Sequence, residues 1–249
     1  MDPVASTPAG ASHTDALHAN RVVLFAMMTL AELRESDTES HLLRVKNYVR
    51  VLVARLQSHP EFAVTLTPLF VENLLGCTHM YDLGTVGVPD RILLKPGRLD
   101  ANELTIMRTH TTLGHGAIVH AEKTLANTSE LLTVAKEVTL SHHEKWDGKG
   151  YPQGLVGAKI PLSARIVAVA DVYDALISNK VYKTGVSHEE AVQIIFSERA
   201  SHFDPDVVDA FIEVSPEFQA IAQRFADNDD DMQKKIEYLA NAIAEHAEL

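Results

Sequence analysis

The chain has 249 residues, a net charge of −12 with histidines neutral, and one cysteine, Cys77. A chain of this length can bury a core without covalent support, and a lone cysteine excludes an intrachain disulfide and fits a reducing, cytoplasmic setting. The acidic balance argues against general nucleic-acid binding, which draws on an excess of lysine and arginine.

Residues 1–14 are rich in Pro, Ala, Ser and Gly and are expected to be disordered. Segment 15–34 reads as a helix that serves as a linker or pairs with a second copy to give a homodimer. Its apolar run, Val22 to Ala31, is too short to span a bilayer, and the N-terminus lacks a basic flank followed by an apolar signal core. Neither membrane association nor export is therefore expected. Leu42, Val45, Val49, Leu52 and Leu56 form a helical stripe. Val64-Thr65-Leu66-Thr67 is a weak strand signal that reads equally well as a loop. From Gly84 to Arg98 the glycines and prolines forbid one regular helix. Asp100 followed by Glu103 predicts a capping box at a new helix.

Leu131, Ala135, Val138 and His142 form a second stripe, which turns His142 inward. The loop from Glu144 to Pro161 is long enough to carry function. Residues 162–178 are apolar on most sides and predict a central buried helix. Phe203-Asp204-Pro205-Asp206 starts another helix. The acidic run Asp227 to Asp231 opens a final amphipathic helix within 226–249, its carboxylates suited to the helix dipole. The chain thus reads as all-α.

The densest chemistry lies in His142-His143-Glu144-Lys145-Trp146-Asp147-Gly148-Lys149-Gly150-Tyr151-Pro152. Imidazoles hold metals, lysines and glycine-exposed backbone suit phosphate, and aromatic rings suit a nucleobase. Asp37 and His41 share a helix face. Asp82 precedes Gly84, His110 follows the Asp100 helix start, and Asp171 lies inside the most apolar helix. A carboxylate there calls for a partner: a cation, or an ion pair with Arg165 or Lys180. Carboxylates and imidazoles without thiolates suit iron, manganese or zinc and argue against a structural zinc site. Taken singly, each residue has a plainer use, as a core histidine, a surface pair or an aromatic core cap. Their joint order and spacing favour one site.

The motifs resemble the HD-GYP family, a branch of the HD phosphohydrolases. They are Tyr81 through Asp90, Leu93 through Leu99, Met107 through Gly114, His142 through Pro152, Ala170 through Leu176, Lys180 through Lys183, and His202 through Pro205. The resemblance covers roughly residues 35–213 and implies an all-α HD-domain helical bundle with an HD-GYP extension, here bounded as 35–225. It implies two or three divalent transition metal ions, iron or manganese, and hydrolysis of cyclic di-GMP or a related cyclic dinucleotide. The implied metal ligands are Asp37, where the best-equipped members have glutamate, with His41, Asp82, His110, His142, His143 and Asp171. Lys180 and Lys183 are implied to contact the nucleotide, with Gly150, Tyr151 and Pro152 shaping the site.

Two positions depart from the family pattern. Tyr81 stands where the family has the histidine of its His-Asp pair, and Thr85 stands where it has a lysine thought to assist catalysis. A phenol has a reference pKa of about 10 and ligates only after losing its proton, so fewer ions are expected. Losing one positioned charge costs roughly 10²–10³ in rate. His79, two residues before Tyr81, would point elsewhere on a helix. The expectation is a metal-binding cyclic di-GMP domain with weak or lost turnover. The alternatives are an active phosphodiesterase and a module acting through a protein partner.

Overall fold

The computed structural model describes residues 39–95, 97–126, 128–178 and 184–226, with the isolated positions 22, 27, 29, 233 and 237. The expectations for residues 1–14, for most of 15–34 and 226–249, and for Asp37, Lys180 and Lys183 fall outside these residues. Among the described residues there is no strand, only two isolated bridges, Asp147 with Val156 and Arg199 with Phe203. The all-α expectation is borne out. Val64 to Thr67 is turn and loop.

The long helices run α1 (Glu39–Leu56), α2 (Pro68–Cys77), a short α3 (Asp90–Leu93), α4 (Ala101–Arg108), α5 (His110–Leu125), α6 (Glu130–Ser141), α7 (Leu162–Ile177), α8 (His188–Ser197), α9 (Pro205–Glu213) and α10 (Ser215–Arg224). Their starts follow from local chemistry. Thr67 accepts from the Phe70 amide at 3.2 Å, with Pro68 at the first helical position of α2. Asp100 and Glu103 form the reciprocal capping box expected at α4. Ser129, Ser187 and Asp204 cap α6, α8 and α9 in the same way.

The α1 stripe is wholly buried, and α7 buries Ile166, Val167, Val169 and Ala170 completely. Helices α1, α7, α9 and α10 close around an aromatic cluster. Tyr48 stacks on Phe218 at 4.6 Å between centroids, and Tyr173 meets Tyr48 and Phe218 edge-on at 5.2 Å each. On its other side α7 packs against α6, which in turn contacts α2 and α5. The ends of α5 and α6, the start of α1 and the middle of α7 thereby converge.

The chain between α2 and α3 forms two 3₁₀ turns, Thr78–Met80 and Leu83–Gly87. The second presses on α5 so closely that a Cβ on Gly84 would lie 1.8 Å from the His110 carbonyl oxygen and 2.5 Å from the Gly114 amide nitrogen. On the far side a Cβ on Gly114 would meet Thr139 of α6 at 2.5 Å. Backbone, rather than a flexible side chain, fills the space at Gly84. Gly84→Ala is therefore expected to cost at least the roughly 1–3 kcal/mol of an overpacked core position, read as a lowered midpoint in urea unfolding.

Candidate metal centre

Asp82 stands between the two 3₁₀ turns, His110 opens α5, and His142 and His143 directly follow α6. One ligand atom from each of these four lies within 4.8 Å of the others. Asp82 Oδ1 is 3.4 Å from His110 Nε2 and 3.3 Å from His142 Nε2, and the two Nε2 atoms are 3.5 Å apart. The opposite ring nitrogens explain this crowding. His110 Nδ1–H donates to the Met107 carbonyl at 2.7 Å, and His142 Nδ1–H donates to the Val138 carbonyl at 2.9 Å. A carbonyl only accepts, so both Nδ1 atoms carry protons, and a ring in its neutral form turns an Nε2 lone pair toward Asp82. Backbone carbonyls that fix the tautomer are a usual support for metal-bound imidazole. Two lone pairs and a carboxylate facing one another are a donor set that fits a divalent cation.

The three rings differ in their electrostatics. Burial holds His143 well below its ordinary value, and burial lowers His110 against the pull of Asp82. Burial would lower His142 too, but its hydrogen bond to Asp82 and the Asp82 charge outweigh it and raise it. Burial alone would raise the Asp82 carboxyl. The hydrogen bond and charge of His142, with His110 and His143, hold it below the usual range instead.

A second chain of contacts runs beside this group. Arg44 grips Asp174 with a fork, Nε to Oδ1 at 2.7 Å and Nη2 to Oδ2 at 2.8 Å. Asp174 Oδ2 accepts from His41 Nδ1 at 2.7 Å. His41 Nε2 lies 2.7 Å from the Tyr81 hydroxyl, and that hydroxyl donates to Asp171 Oδ1 at 3.0 Å. Burial, then the charge of Asp82, push Asp171 up to about 6. The polar partner that Asp171 needs inside its apolar helix is thus Tyr81, whereas Arg165 pairs with Asp204 at 2.5 Å.

The loop after His143 is built on Glu144, which is only 2% exposed. Its carboxylate accepts from the Gln153 amide at 2.7 Å and the Leu155 amide at 2.9 Å. Gly150 lies against the same segment: a Cβ there would be 2.2 Å from the Lys145 nitrogen. Tyr151 is thereby laid over His143, with 4.9 Å between ring centroids, and the Arg108 guanidinium sits 4.9 Å from the Tyr151 ring centre. Trp146 takes the plainer of its two expected uses. Its amide donates to the His202 carbonyl, and its ring lies near Arg165, so it anchors the loop to the body of the protein. Lys149 pairs with Asp147 at 2.8 Å, away from the four-residue group.

Of the seven expected ligands, the structure gathers Asp82, His110, His142 and His143 into one group. It joins His41 and Asp171 through Tyr81. Thr85 is buried and donates to the Asp82 carbonyl at 2.7 Å, which fixes the turn and offers no charge. His79 is buried in the first 3₁₀ turn, where burial pushes it down to about 4. Arg44, Asp174, Glu144 and Arg108 have roles that residue type alone did not reveal. Position was the available signal: Arg44 and Asp174 each lie three residues beyond an expected ligand, and so on a neighbouring helix face.

The HD domain family model matches residues 26–207. The chain belongs to the HD domain family. It is 50% identical over 210 residues to a probable cyclic di-GMP phosphodiesterase of Vibrio cholerae, covering 84% of this chain and 48% of that protein. It is 36% identical to a cyclic di-GMP phosphodiesterase of Thermotoga maritima, covering 83% of this chain and 52% of that one. A 3′3′-cGAMP-specific phosphodiesterase 2 of Vibrio cholerae is 34% identical, with 86% of this chain and 38% of that one covered. The chain spans about half the length of the curated relatives it matches. Among solved structures, Bd1817, an HDG"Y"P protein from Bdellovibrio bacteriovorus, superposes with a TM-score of 0.52 at 17% identity, covering 71% of this chain and 53% of that one. The HD-GYP resemblance and the helical HD fold are borne out. No helix among the described residues is long and apolar enough to cross a membrane.

Two outcomes follow from these contacts. His41 and Arg44 hold the Asp174 carboxyl below its usual range against the opposing effect of burial. Its folded value lies below an unfolded value of about 3.9, so its stabilisation is full above that pH and is lost as pH falls toward the folded value. Asp174→Asn should cost about 3–5 kcal/mol at pH 7, as breaking a buried pair does, and the gap to wild type should narrow below about pH 4. Urea unfolding of metal-free protein at both pH values measures this. Glu144→Ala should free the loop, read as faster amide exchange at Gln153 and Leu155 with the protein still folded.

Proposed function

We propose that the chain is a metal-binding cyclic dinucleotide domain with weak or absent turnover, its ligand cyclic di-GMP or a close relative. The convergence of Asp82, His110, His142 and His143, with two Nε2 lone pairs turned inward, carries this reading. The relatives are named for cyclic di-GMP and 3′3′-cGAMP, which supports a cyclic dinucleotide as the ligand class. Imidazole and carboxylate donors without thiolate suit iron, manganese or zinc, and the HD-GYP resemblance favours the first two. A bound ion would supply an activated water and would neutralise charge on a phosphoryl group. Arg108 and Tyr151 at the lip of the group offer a cation for phosphate and a ring for a base. Lys180 and Lys183 are assigned to the same ligand by resemblance.

Slow turnover follows from Thr85, whose hydroxyl is spent on the Asp82 carbonyl, and from Tyr81. The second reading, an active phosphodiesterase, rests on the intact Asp82 and its three histidines. Protein purified anaerobically should retain transition metal by elemental analysis, and His142→Ala should lose it. Hydrolysis of cyclic di-GMP should be slow or undetectable. Tyr81→His with Thr85→Lys should raise it at least tenfold, because one positioned charge is worth roughly 10²–10³. A robust wild-type rate abolished by His142→Ala would establish the second reading instead.

A further inference from the structure

We propose that the Tyr81 hydroxyl stands in for a metal ion, so that the chain binds one divalent ion, on Asp82, His110, His142 and His143, and closes a second position with a hydrogen-bonded phenol. This inference rests on reading the site as a metal centre.

The geometry is specific. An ion shared by His41 Nε2 and Asp171 Oδ1 would sit about 2.0–2.2 Å from each. The phenol oxygen already lies between those atoms, at 2.7 Å and 3.0 Å. These are hydrogen-bond distances, and both atoms are engaged. The ring cannot swing aside cheaply. Tyr81 is 1% exposed and belongs to the hydrophobic core, and its ring meets the His142 ring edge-on at 5.1 Å. The support around the closed position is complete: the far nitrogen of His41 is held by Asp174, which Arg44 holds in turn. Such a carboxylate behind an imidazole is what a metal ligand uses to fix its ring. The scaffold for a second ion therefore stands, and the side chain at position 81 blocks it.

The inner group does not depend on Tyr81. Its imidazoles are oriented by the carbonyls of Met107 and Val138, one turn back in their own chain segments. One ion and one hydroxyl would thus sit side by side, with Asp171 bonded to the hydroxyl.

The test is metal stoichiometry on the full chain, loaded anaerobically with manganese(II) or iron(II), desalted and analysed. Wild type should hold one ion per chain and give the electron paramagnetic resonance signal of isolated manganese. Tyr81→His should hold two, with the broadened signal of an exchange-coupled pair. His41→Gln should keep the single ion in the wild-type background and return Tyr81→His from two ions to one. His142→Ala should lose the ion in either background. Circular dichroism checks that each variant folds. The wild-type count and the His41→Gln variant decide the matter even if Tyr81→His does not fold. Two ions in wild type, loss of the single ion in His41→Gln, or one ion in folded Tyr81→His would each overturn the inference and leave the metal-centre reading standing. A visible phenolate-to-iron band in oxidised wild type would do the same, by showing that Tyr81 ligates. No bound ion in wild type would overturn both.

Discussion

The close approach of Gly84 to the backbone of α5 is the constraint on which the centre depends. Asp82 comes from a turn, and the three histidines come from the ends of two helices. Turns are ordinarily the least constrained parts of a fold, yet here the turn must place a carboxylate within a few tenths of an ångström. It does so by removing side chains from a three-layer crossing: Gly84 lies on Gly114, and Gly114 lies on Thr139 of α6. The same crossing that sets the distance from Asp82 to His110 also sets the distance to His142. Thr85 adds a hydrogen bond within the turn. Thr85 is therefore a well-satisfied structural residue of the turn.

Tyr81 makes the complementary point about charge. A cation between an imidazole and a carboxylate holds them by attraction to both. A phenol holds the same two atoms by donating one hydrogen bond and offering its oxygen to the other group. It brings no net charge, and burial, then the nearby Asp82 carboxylate, raise the Asp171 pKa. The Arg44–Asp174–His41 support is held by its own hydrogen bonds within the bundle. The departure at Tyr81 is local: its hydroxyl joins His41 and Asp171.

Much of this was legible in the sequence. The α1 stripe, the capping box at Asp100 and the buried helix around Ile166 follow from periodicity and capping, which are local rules. The order of Asp82, His110, His142 and His143 was legible through motif spacing. Less legible were contacts that join distant segments. Arg44 and Asp174 are 130 residues apart, and no periodicity links them. Glu144 lay in plain view beside the histidines, but a carboxylate that accepts two amides from its own loop looks, in sequence, like any acidic residue. Asp171 was expected to have a partner, and the Tyr81 hydroxyl is one, while Arg165 pairs with Asp204. Trp146 shows the converse: an aromatic residue in a ligand-rich loop turned out to be an anchor.

Glu144 has one more consequence. Its carboxylate draws the loop back on itself through two amides, and Gly150 lets the chain lie flat against that same residue. The lip carrying Tyr151 is therefore held by the Glu144 side chain, by the Trp146 amide bonded to the His202 carbonyl, and by the Tyr151 amide bonded to the His143 carbonyl. Glu144 thus sets how Tyr151 lies over His143 without itself belonging to the four-residue group.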